Sequence, residues 1–443
     1  MMARLTDTIF ARASGAGLAA VGVLRISGPQ SGPVLARLAG RLPGPRHASL
    51  RRLRSPDDGQ VMDEALVLWF PAPGSYTGED SAELQLHGGR AVVAAVEAAL
   101  LTLGCRPAEA GEFTRRAFLH GRMDLTQAEA VADLIAAETE AQRRQALQQA
   151  GGALAELYGG WTRRLTTILA QQEAAIEFEM DDLPSNLAAS AREAAAALRA
   201  EIVAHLADRG RGQRLREGVS VVIVGAANAG KSSLLNALVG REAAIVSPQP
   251  GTTRDIVECR LVLAGVPVLL ADTAGLRAAA DEIEQEGVRR AAQRAGTADV
   301  LLAAFAGTAL PDAETLALLA VAENVLVVAT KSDLAPPPPH IEGHAVLPTS
   351  ARTGAGLPAL LVAMEDIVRR LAGAADAPVL TRARHRAALD QALARLDEAR
   401  DAALPELAAE GYRAALGALG RLTGRVEVEQ VLDAVFRDFC IGK

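Results

Sequence analysis

The feature that most constrains the fold is a glycine-rich segment between a short apolar run and a helical pattern. Gly225-Ala-Ala-Asn-Ala-Gly-Lys-Ser232 follows the β-branched run Val219–Val224, and a helical pattern begins at Ser233. A strand, such a loop and a helix form the phosphate-binding loop of nucleoside-triphosphate enzymes. The glycines let backbone N–H groups surround phosphate oxygens, Lys231 would neutralise the β- and γ-phosphates, and Ser232 would ligate Mg²⁺. The segment therefore predicts an α/β domain that binds a nucleotide.

Three further motifs follow in the order that a guanine-nucleotide site requires. Asp272-Thr273-Ala274-Gly275 ends a predicted strand, so its carboxylate would lie near Mg²⁺ and its glycine near the γ-phosphate. Thr330-Lys331-Ser332-Asp333 ends another strand, and Asp333 can accept hydrogen bonds from N1 and N2 of guanine, which adenine does not offer. Ser350-Ala351-Arg352 would complete the base pocket through backbone contacts. Many GTPases have Asn in place of Thr330, so we expect a looser base site that keeps its guanine specificity.

The device that activates water must differ from that of many regulatory GTPases. Pro250-Gly251-Thr252-Thr253 is typical of a switch loop ordered by the γ-phosphate, with Thr253 as the second protein ligand of Mg²⁺. Leu276 stands where those enzymes have a Gln that orients the attacking water. Leu cannot orient water, so we expect either a cation in place of an arginine finger or a nearby carboxylate, with three candidates: Asp281, Glu282 and Glu284.

Length and apolar patterning indicate several domains, because a chain of 443 residues is too long to fold around one compact core. Strand patterns near the N-terminus predict an α+β region, and capping-box spacing of Thr126 and Glu129 predicts that a helix starts there. Short strands alternating with helices then predict a mostly parallel sheet with helices on both faces, inserted into a helical domain. The predicted ranges are 1–122 for the N-terminal domain, 123–215 and 376–443 for the helical domain, and 216–375 for the nucleotide domain. The strands predicted for the nucleotide domain are Val219–Val224, Val266–Ala271, Asp299–Phe305, Val325–Ala329 and Ala345–Pro348.

Composition narrows the class of protein further. A net charge of −7 excludes a basic protein that coats nucleic acid along its whole length. We interpret the arginine-rich stretch from Arg41 to Arg54 as a solvated loop. Three cysteines, Cys105, Cys259 and Cys440, favour a reducing cytosol over a disulfide framework. No uninterrupted apolar stretch of about 18 residues and no signal-peptide pattern occurs, which predicts a soluble cytoplasmic protein without a membrane association.

Segments outside the nucleotide motifs carry a resemblance to one family. They are Leu24-Arg25-Ile26-Ser27-Gly28, Tyr76-Thr77-Gly78-Glu79-Asp80 with Glu83 and His87-Gly88-Gly89, Gly111-Glu112-Phe113-Thr114, Asp124-Leu125, and Phe439-Cys440-Ile441-Gly442-Lys443. With them the chain resembles, over essentially its whole length, the MnmE or TrmE family of tRNA-modification GTPases. The resemblance implies an N-terminal α+β domain that binds a tetrahydrofolate derivative and forms a homodimer, a helical domain, and an inserted P-loop GTPase domain.

The resemblance also implies an activity and partners. An MnmG-type protein that carries FAD would join the chain in a heterotetramer or larger complex. Together they would add an aminomethyl or carboxymethylaminomethyl group to C5 of the wobble uridine of certain tRNAs. The one-carbon unit would come from 5,10-methylene- or 5-formyl-tetrahydrofolate.

Residues at the folate site follow from matching positions in the family. They are Arg25, Glu83, Arg122 and Lys443, with Lys more common than Arg at position 122, which changes the donor geometry. Cys440 in the terminal motif is either a catalytic thiol or a small apolar residue that packs a helix. Arg425 stands where the family often has Glu, and no effect is assigned to it.

The resemblance identifies the cation expected at the hydrolytic site as K⁺, in the place of an arginine finger. Asn228 matches its side-chain ligand, Ser247, Gln249 and Thr252 would contribute backbone carbonyls, and Glu284 matches the acid that orients water. Motifs and resemblance together give these GTP contacts: Asn228, Ala229, Gly230, Lys231, Ser232, Ser233, Ser247, Pro248, Gln249, Pro250, Gly251, Thr252, Thr253, Asp272, Thr273, Ala274, Gly275, Lys331, Asp333, Ser350 and Ala351.

Two other functions share the nucleotide motifs. One is a ribosome-assembly or regulatory GTPase that hydrolyses GTP only as a timer, and the other is a folate-binding protein with a vestigial nucleotide site. The segment from Glu83 to Gly89 and the terminal residues Cys440–Lys443 favour the tRNA-modifying function over the timer, which has no use for them. The complete set of nucleotide motifs disfavours the vestigial site.

Overall fold

A computed structural model describes residues 6–177, 187–208, 210–240, 258–272, 298–373 and 379–426, together with 432, 435, 436, 439, 440 and 442. The chain forms two compact units, each assembled from separate stretches of sequence. The first comprises Met1–Ala132, Gln149–Arg163 and Leu416–Lys443, and the second comprises Asp133–Gln148 and Arg164–Ala415. None of the helices within the described ranges is long and apolar enough to span a membrane.

A six-stranded sheet forms the centre of the first unit, in the order β3-β4-β5-β2-β1-β6. The β1–β6 pair is parallel and the other neighbours are antiparallel. The strands are β1 (Ile9–Arg12), β2 (Val21–Ser27), β3 (Ser49–Arg54), β4 (Val61–Phe70), β5 (Ser81–His87) and β6 (Arg106–Pro107). The first helices of the chain are α1 (Ser31–Ala39), α2 (Arg90–Thr102), α3 (Glu112–Leu119), α4 (Leu125–Ala136), α5 (Glu140–Ala150) and α6 (Ala153–Glu177).

Alternation along β4 gives this sheet two different faces. Ala65, Val67 and Trp69 are buried in one core with residues of α1 and α2. Glu64 and Leu66 point to the opposite, open face, because successive side chains of a strand alternate. The arginine-rich stretch that we interpreted as a solvated loop contains β3, so that interpretation was wrong for its last residues.

The cap of α4 differs from the predicted one. Asp124 accepts a hydrogen bond from the backbone N–H of Gln127 at 2.9 Å, and the Gln127 side chain accepts one from the N–H of Asp124 at 3.0 Å. This reciprocal pair is a capping box that starts two residues before the predicted Thr126 and Glu129. The prediction missed it because Asp serves as an N-cap as readily as Thr.

A small apolar cluster joins α4 to the end of the chain. Leu125 and Ala128 are buried with Leu432, Phe436 and Phe439. Phe436 and Phe439 belong to the segment Glu429–Phe439, which the sequence pattern predicts as a helix and most of which falls outside the described residues. The contact brings the terminal residues into the first unit.

A seven-stranded sheet forms the core of the second unit, in the order β12-β13-β11-β10-β7-β9-β8. Its inner pairs are parallel and its two outermost pairs are antiparallel. Its strands are β7 (Val219–Val224), β8 (Glu258–Leu263), β9 (Val266–Asp272), β10 (Val300–Ala306), β11 (Val325–Thr330), β12 (His340–Ile341) and β13 (His344–Pro348). The helices from residue 187 onwards are α7 (Leu187–Leu206), α8 (Arg211–Glu217), α9 (Lys231–Val239), α10 (Ala313–Leu319), α11 (Leu357–Ala372), α12 (Ala383–Asp401) and α13 (Pro405–Thr423).

Helices cover both faces of this sheet. One core joins the sheet to α8, α9 and α11, and a second core on the other face joins it to α10. The predicted mostly parallel sheet with helices on both faces is therefore confirmed, and so is the wider class of an α+β N-terminal part, helices and a P-loop domain. The antiparallel edge strand β8 was not predicted.

Candidate functional site

The phosphate loop lies between β7 and α9, as the sequence predicts. Gly225 has φ +146°, and a Cβ there would lie 1.9 Å from the carbonyl oxygen of Ala304, so only glycine fits. Gly230 precedes α9 in the left-handed conformation, with φ +82°. The loop therefore leads into the backbone N–H groups of a helix N-terminus, a general anion-binding arrangement.

Lys231 is held over this loop by the loop itself. Its ammonium donates to the carbonyl oxygens of Gly225 and Ala226, each at 2.8 Å, and the residue is only 5% exposed. A buried ammonium needs such acceptors, and phosphate oxygens would replace them. Ser232, Ser233 and Asn228 are exposed on the same segment.

Asn228 has an unusual backbone in the loop. Its φ is +63°, a left-handed conformation in which Asn is tolerated better than most residues. Its carbonyl oxygen accepts a hydrogen bond at 2.9 Å from the ammonium of Lys331, which belongs to the guanine motif. The phosphate loop and the base motif are thus bonded directly.

The base pocket is a cavity of about 330 Å³ at the ends of β11 and β13. Its lining includes Gly230, Lys331, Asp333, Ser350 and Ala351, which are predicted nucleotide contacts. The second core and the sheet register place these residues together, since β11 pairs with β13 in parallel and both strands end at this edge. The carboxyl ends of parallel strands are where α/β folds bind ligands.

The carboxylate of Asp333 already has partners in the pocket. Oδ1 accepts from the hydroxyl of Ser350 at 2.6 Å, and Oδ2 accepts two N–H groups of Arg352 at 2.8 and 3.1 Å. The hydrogen bond from Ser350, followed by those from Arg352, holds the pKa of Asp333 below its usual value, so the group is an anion that can accept N–H donors. Arg352 donates two N–H groups to Oδ2, so a guanine that bound Asp333 as predicted would compete with it there.

Thr330 bonds the guanine motif to the phosphate loop. Its buried hydroxyl donates to the carbonyl oxygen of Ala229 at 2.5 Å and lies 3.2 Å from that of Phe305. The residue is 3% exposed. We expected this departure from Asn to loosen the site, and nothing in the geometry indicates looseness. A hydroxyl at the buried end of β11 could have been recognised from sequence as a donor that needs a partner.

Several predicted nucleotide residues lie outside the described residues. They are Ser247, Pro248, Gln249, Pro250, Gly251, Thr252, Thr253, Thr273, Ala274, Gly275 and the proposed catalytic Glu284. Asp272 is the last residue of β9, and only its backbone is described. The roles of all these residues stay predictions.

A second group of predicted site residues lies on the face of the first sheet opposite α1 and α2, beside a small apolar cluster that contains Phe113 and Tyr76. Arg25 on β2 and Glu83 on β5 are directly opposed, and two N–H groups of Arg25 donate to Oε1 of Glu83 at 2.9 and 3.0 Å. The guanidinium lies 5.3 Å from the ring centre of Tyr76 and 5.8 Å from that of Phe113. A partly buried carboxylate, a cation and aromatic rings suit a flat heterocycle with N–H groups.

The terminal segment reaches the same part of the first unit. Gly111 caps α3 and donates from its N–H to the carbonyl oxygen of Cys440 at 3.4 Å. Its φ is +67°, and a Cβ there would lie 3.0 Å from Phe436 and Phe439, so glycine lets the terminal segment pack closely. Cys440 is exposed, whereas burial raises the pKa of the Cys105 thiol to about 11.

Of the two remaining residues predicted for the folate site, Arg122 and Lys443, the structure describes only the first. Arg122 lies beside the Tyr76–Asp80 segment, because a Cβ at Gly78 would be 3.3 Å from its Cγ. Lys443 lies outside the described residues, and the preceding Gly442 contacts the carbonyl of Arg12 at the end of β1. Arg25 and Glu83 are thus in contact with each other, Arg122 adjoins a neighbouring segment, and Lys443 is untested.

A buried ion network that the sequence did not reveal fixes this region. Arg116 on α3 is 1% exposed and donates to Asp7, Glu79 and Glu112 at 2.6, 3.2 and 3.1 Å. Burial raises the pKa of Glu112, but hydrogen bonds led by Arg106 outweigh it, and the net pKa is lowered. A run such as Arg115-Arg116 gives no signal of which arginine is buried.

Comparison with known proteins matches the whole chain to one family. The family model described as "GTP-binding protein TrmE N-terminus" matches residues 8–122, and that described as "MnmE helical domain" matches residues 125–440. Three curated relatives are each named "tRNA modification GTPase MnmE". The relative from Gluconacetobacter diazotrophicus is 54% identical, over 98% of both chains. That from Rhodospirillum rubrum is 53% identical over 99% of both, and that from Methylorubrum populi is 54% identical over 99% of this chain and 98% of the relative.

Proposed function

The chain belongs to the MnmE family of tRNA modification GTPases, and from that premise we propose that it is a K⁺-stimulated GTPase that uses a folate one-carbon unit in tRNA modification. Its substrates would be GTP and the wobble uridine of certain tRNAs, where it would act as a homodimer with an MnmG-type FAD protein. The observation that carries the proposal is the presence of two separate polar sites in one chain. One is the phosphate loop with its guanine pocket, and the other is the partly buried Arg25–Glu83 pair on the first sheet.

The nucleotide site supports GTP hydrolysis through positioning and charge. Lys231 exchanges its two loop carbonyls for phosphate oxygens, while the N–H groups at the start of α9 surround them. Asp333 accepts guanine N–H groups, and Ser350 fixes the orientation of that carboxylate. Ser232 and Thr253 would hold Mg²⁺, which offsets phosphate charge when bound.

The hydrolytic step needs a substitute for the missing glutamine at position 276. Asn228 is exposed on the phosphate loop and has an amide oxygen suited to a monovalent cation. We propose that it holds K⁺ together with carbonyl groups of Ser247, Gln249 and Thr252, and that K⁺ supplies positive charge between the β- and γ-phosphates. Glu284 would orient the attacking water.

A comparison of salts tests this assignment. GTP hydrolysis should be faster in K⁺ than in Na⁺ at equal ionic strength, and Asn228→Ala should remove the difference. Asn236→Ala is a matched control, since Asn236 is exposed on α9, beyond the loop. Lys231→Ala gives the background rate. Equal rates in both salts for the unaltered protein would remove the cation from the mechanism and leave the GTPase assignment standing.

The second site supports binding of a tetrahydrofolate derivative. Glu83 can accept the amino and ring N–H groups of a pterin, and Tyr76 offers an aromatic face beside it. Arg25, Arg122 and Lys443 would supply positive charge for the carboxylates of the folate. Cys440 is exposed in the terminal segment and would be available for covalent chemistry.

Binding of 5-formyl-tetrahydrofolate, measured by calorimetry, tests this site independently of GTP. Glu83→Gln should weaken binding by about tenfold or more, because it removes a charged hydrogen-bond acceptor. Glu64→Gln is the matched control, since Glu64 is an exposed acid on the same face of the same sheet and pairs with Arg52. Equal affinity in the two variants would exclude Glu83 from the folate site.

The tRNA product gives a third test. Cys440→Ser, assayed with the partner protein, should keep GTP hydrolysis and lose wobble-uridine modification if the thiol reacts. Retained modification would mean that Cys440 only packs the terminal segment.

The proposed domain division remains 1–122, 123–215 with 376–443, and 216–375.

A further inference from the structure

The arginine-rich stretch near the N-terminus has a charge opposite to that of the chain. Residues 37–54 contain six arginines and no acidic residue, whereas the whole chain has a net charge of −7. We call this set the arginine edge. Its members are Arg37 on α1, Arg41 and Arg46 in the following loop, and Arg51, Arg52 and Arg54 on β3.

The charge of the arginine edge is largely uncompensated. Arg37, Arg51 and Arg54 donate to carbonyl oxygens of Pro56, Leu50 and Gly59 at 3.0–3.2 Å, and Arg46 donates to that of Gly74. A carbonyl oxygen accepts an N–H group without cancelling its charge.

One acid lies against the arginine edge. Within the described residues, Arg52 is the only member with a carboxylate partner, Glu64 at 3.3 Å, and both side chains are more than half exposed. Such an exposed pair opens at little cost. An anionic partner could therefore reach the five exposed members, whereas Arg51 is only partly exposed and its Nε is buried.

The fold exposes this set along one border of the sheet. β3 is the outermost strand and pairs only with β4, so no described strand pairs with its other edge. Arg52 and Arg54 are exposed on β3, and Arg41 is exposed in the loop before it. The guanidinium of Arg46 lies 5.7 Å from the ring centre of Phe70, which is itself partly exposed.

This combination fits a nucleic acid. Arginine forks match phosphate oxygens, and an accessible aromatic ring beside a guanidinium is a surface on which an unstacked base can lie. An acidic chain repels a polyanion elsewhere, so a basic border decides where it approaches. We propose that the arginine edge is a docking surface for the phosphate backbone of tRNA. The inference rests on the proposed function, because it takes tRNA as the substrate.

Charge removal tests the surface. The edge variant is Arg41→Gln/Arg52→Gln/Arg54→Gln. The matched control is Arg90→Gln/Arg211→Gln/Arg370→Gln, which removes three exposed arginines that lie outside the edge and have no carboxylate partner among the described residues. Both variants change the net charge equally. Fluorescence of Trp69, which is buried in the sheet core, verifies that the edge variant remains folded.

The measurement is tRNA affinity over a series of salt concentrations, with GTP hydrolysis measured in parallel. Each lost phosphate contact lowers the slope of log affinity against log salt by about 0.7–0.9, so the edge variant should lose roughly 2 from the slope. Its tRNA affinity at low salt should fall at least about tenfold, and its GTP hydrolysis should match that of the control.

The outcomes separate this inference from the proposed function. If the unaltered protein and both variants bind tRNA with the same slope, the docking surface is refuted and the tRNA function stands. If none of them binds tRNA, the docking surface is refuted, and the assay of wobble-uridine modification with the partner protein decides whether the tRNA function stands. If the edge variant instead loses only binding to phosphatidylserine vesicles, the edge faces a lipid surface and the inference is overturned.

Discussion

Thr330→Val is the substitution for which the structure gives the sharpest expectation. Val has the shape of Thr without the hydroxyl, so it removes the bond to the carbonyl oxygen of Ala229 and adds no bulk. That carbonyl belongs to the residue before Gly230, where the phosphate loop enters α9. The variant therefore loosens the phosphate loop without altering any group predicted to touch the nucleotide.

The magnitude follows from the burial of the bond. Thr330 is 3% exposed, so the carbonyl of Ala229 loses its buried donor and unfolding free energy should drop by about 1–3 kcal/mol. A loop that has lost a bond worth about 1 kcal/mol must be reordered when a nucleotide binds, which weakens GDP binding by about fivefold.

Thr349→Val is the matched control. Its buried hydroxyl donates at 3.2 Å to the carbonyl oxygen of Ala329, which also accepts the backbone N–H of Thr349 at 2.7 Å. That carbonyl lies in β11, outside the phosphate loop, and keeps one donor in the variant. We expect a smaller loss of stability, about 0.5–1.5 kcal/mol, and no change in GDP affinity.

Chemical denaturation gives the stabilities, and titration with a fluorescent GDP analogue gives the dissociation constants. The reasoning requires that Thr330→Val binds GDP more weakly than Thr349→Val. Equal dissociation constants would show that the hydroxyl of Thr330 stabilises the fold alone and does not organise the phosphate loop.

Three other predictions follow from features of the two units. Gly225→Ala should prevent nucleotide binding and cost at least about 1–3 kcal/mol of stability, because the backbone conformation at Gly225 is strained for any side chain. Normal GDP binding in a titration would contradict this. Arg352→Ala should tighten GDP binding by about two- to fivefold, because guanine no longer competes for Asp333, and weaker binding would mean that Arg352 orients the carboxylate instead. The free energy of unfolding of the first unit should be constant from pH 7 down to the ordinary pKa values of 3.8 for Asp7 and 4.5 for Glu112, and should fall below them. Both pKa values are lowered in the folded state, so protonation favours unfolding. Fluorescence of the two tryptophans, which both belong to this unit, follows the loss, and no loss at low pH would show that the ion network is unimportant.

The nucleotide site could be predicted from sequence because its parts are local. Gly225 follows the end of β7, Lys231 begins the helix after it, and Asp333 follows the end of β11; parallel strands bring such ends to one edge. The strand Val219–Val224 was predicted with its observed bounds. The effect of Thr330 was predicted by comparison with the Asn that many GTPases have at this position. A sequence does not show that the shorter Thr side chain still reaches the carbonyl oxygen of Ala229 in the phosphate loop.

The first unit was harder to predict because its contacts are long-range. Only two of the six strands of its sheet were predicted, from the apolar runs Val21–Ile26 and Ala65–Phe70. Short strands such as β1 have too few residues to show alternation. Arg25 and Glu83 are 58 residues apart, so their pairing depends on register. The resemblance to a family supplied that pair, and the pattern of residues alone would not have done so.

The apolar cluster that joins Leu125 to Leu432 and Phe436 also determines when the first unit can be finished on the ribosome. Its two halves are about 300 residues apart in the chain, so at about 5–20 residues per second the early half waits roughly 15–60 s for the late half. Throughout that time the apolar side chains of α4 in this cluster lack their partners, while the nucleotide domain is still being synthesised. We therefore expect the nascent chain to depend on chaperones after residue 128 has emerged and until residue 432 follows. A stalled chain that ends before residue 432 should be sensitive to protease in its N-terminal sheet.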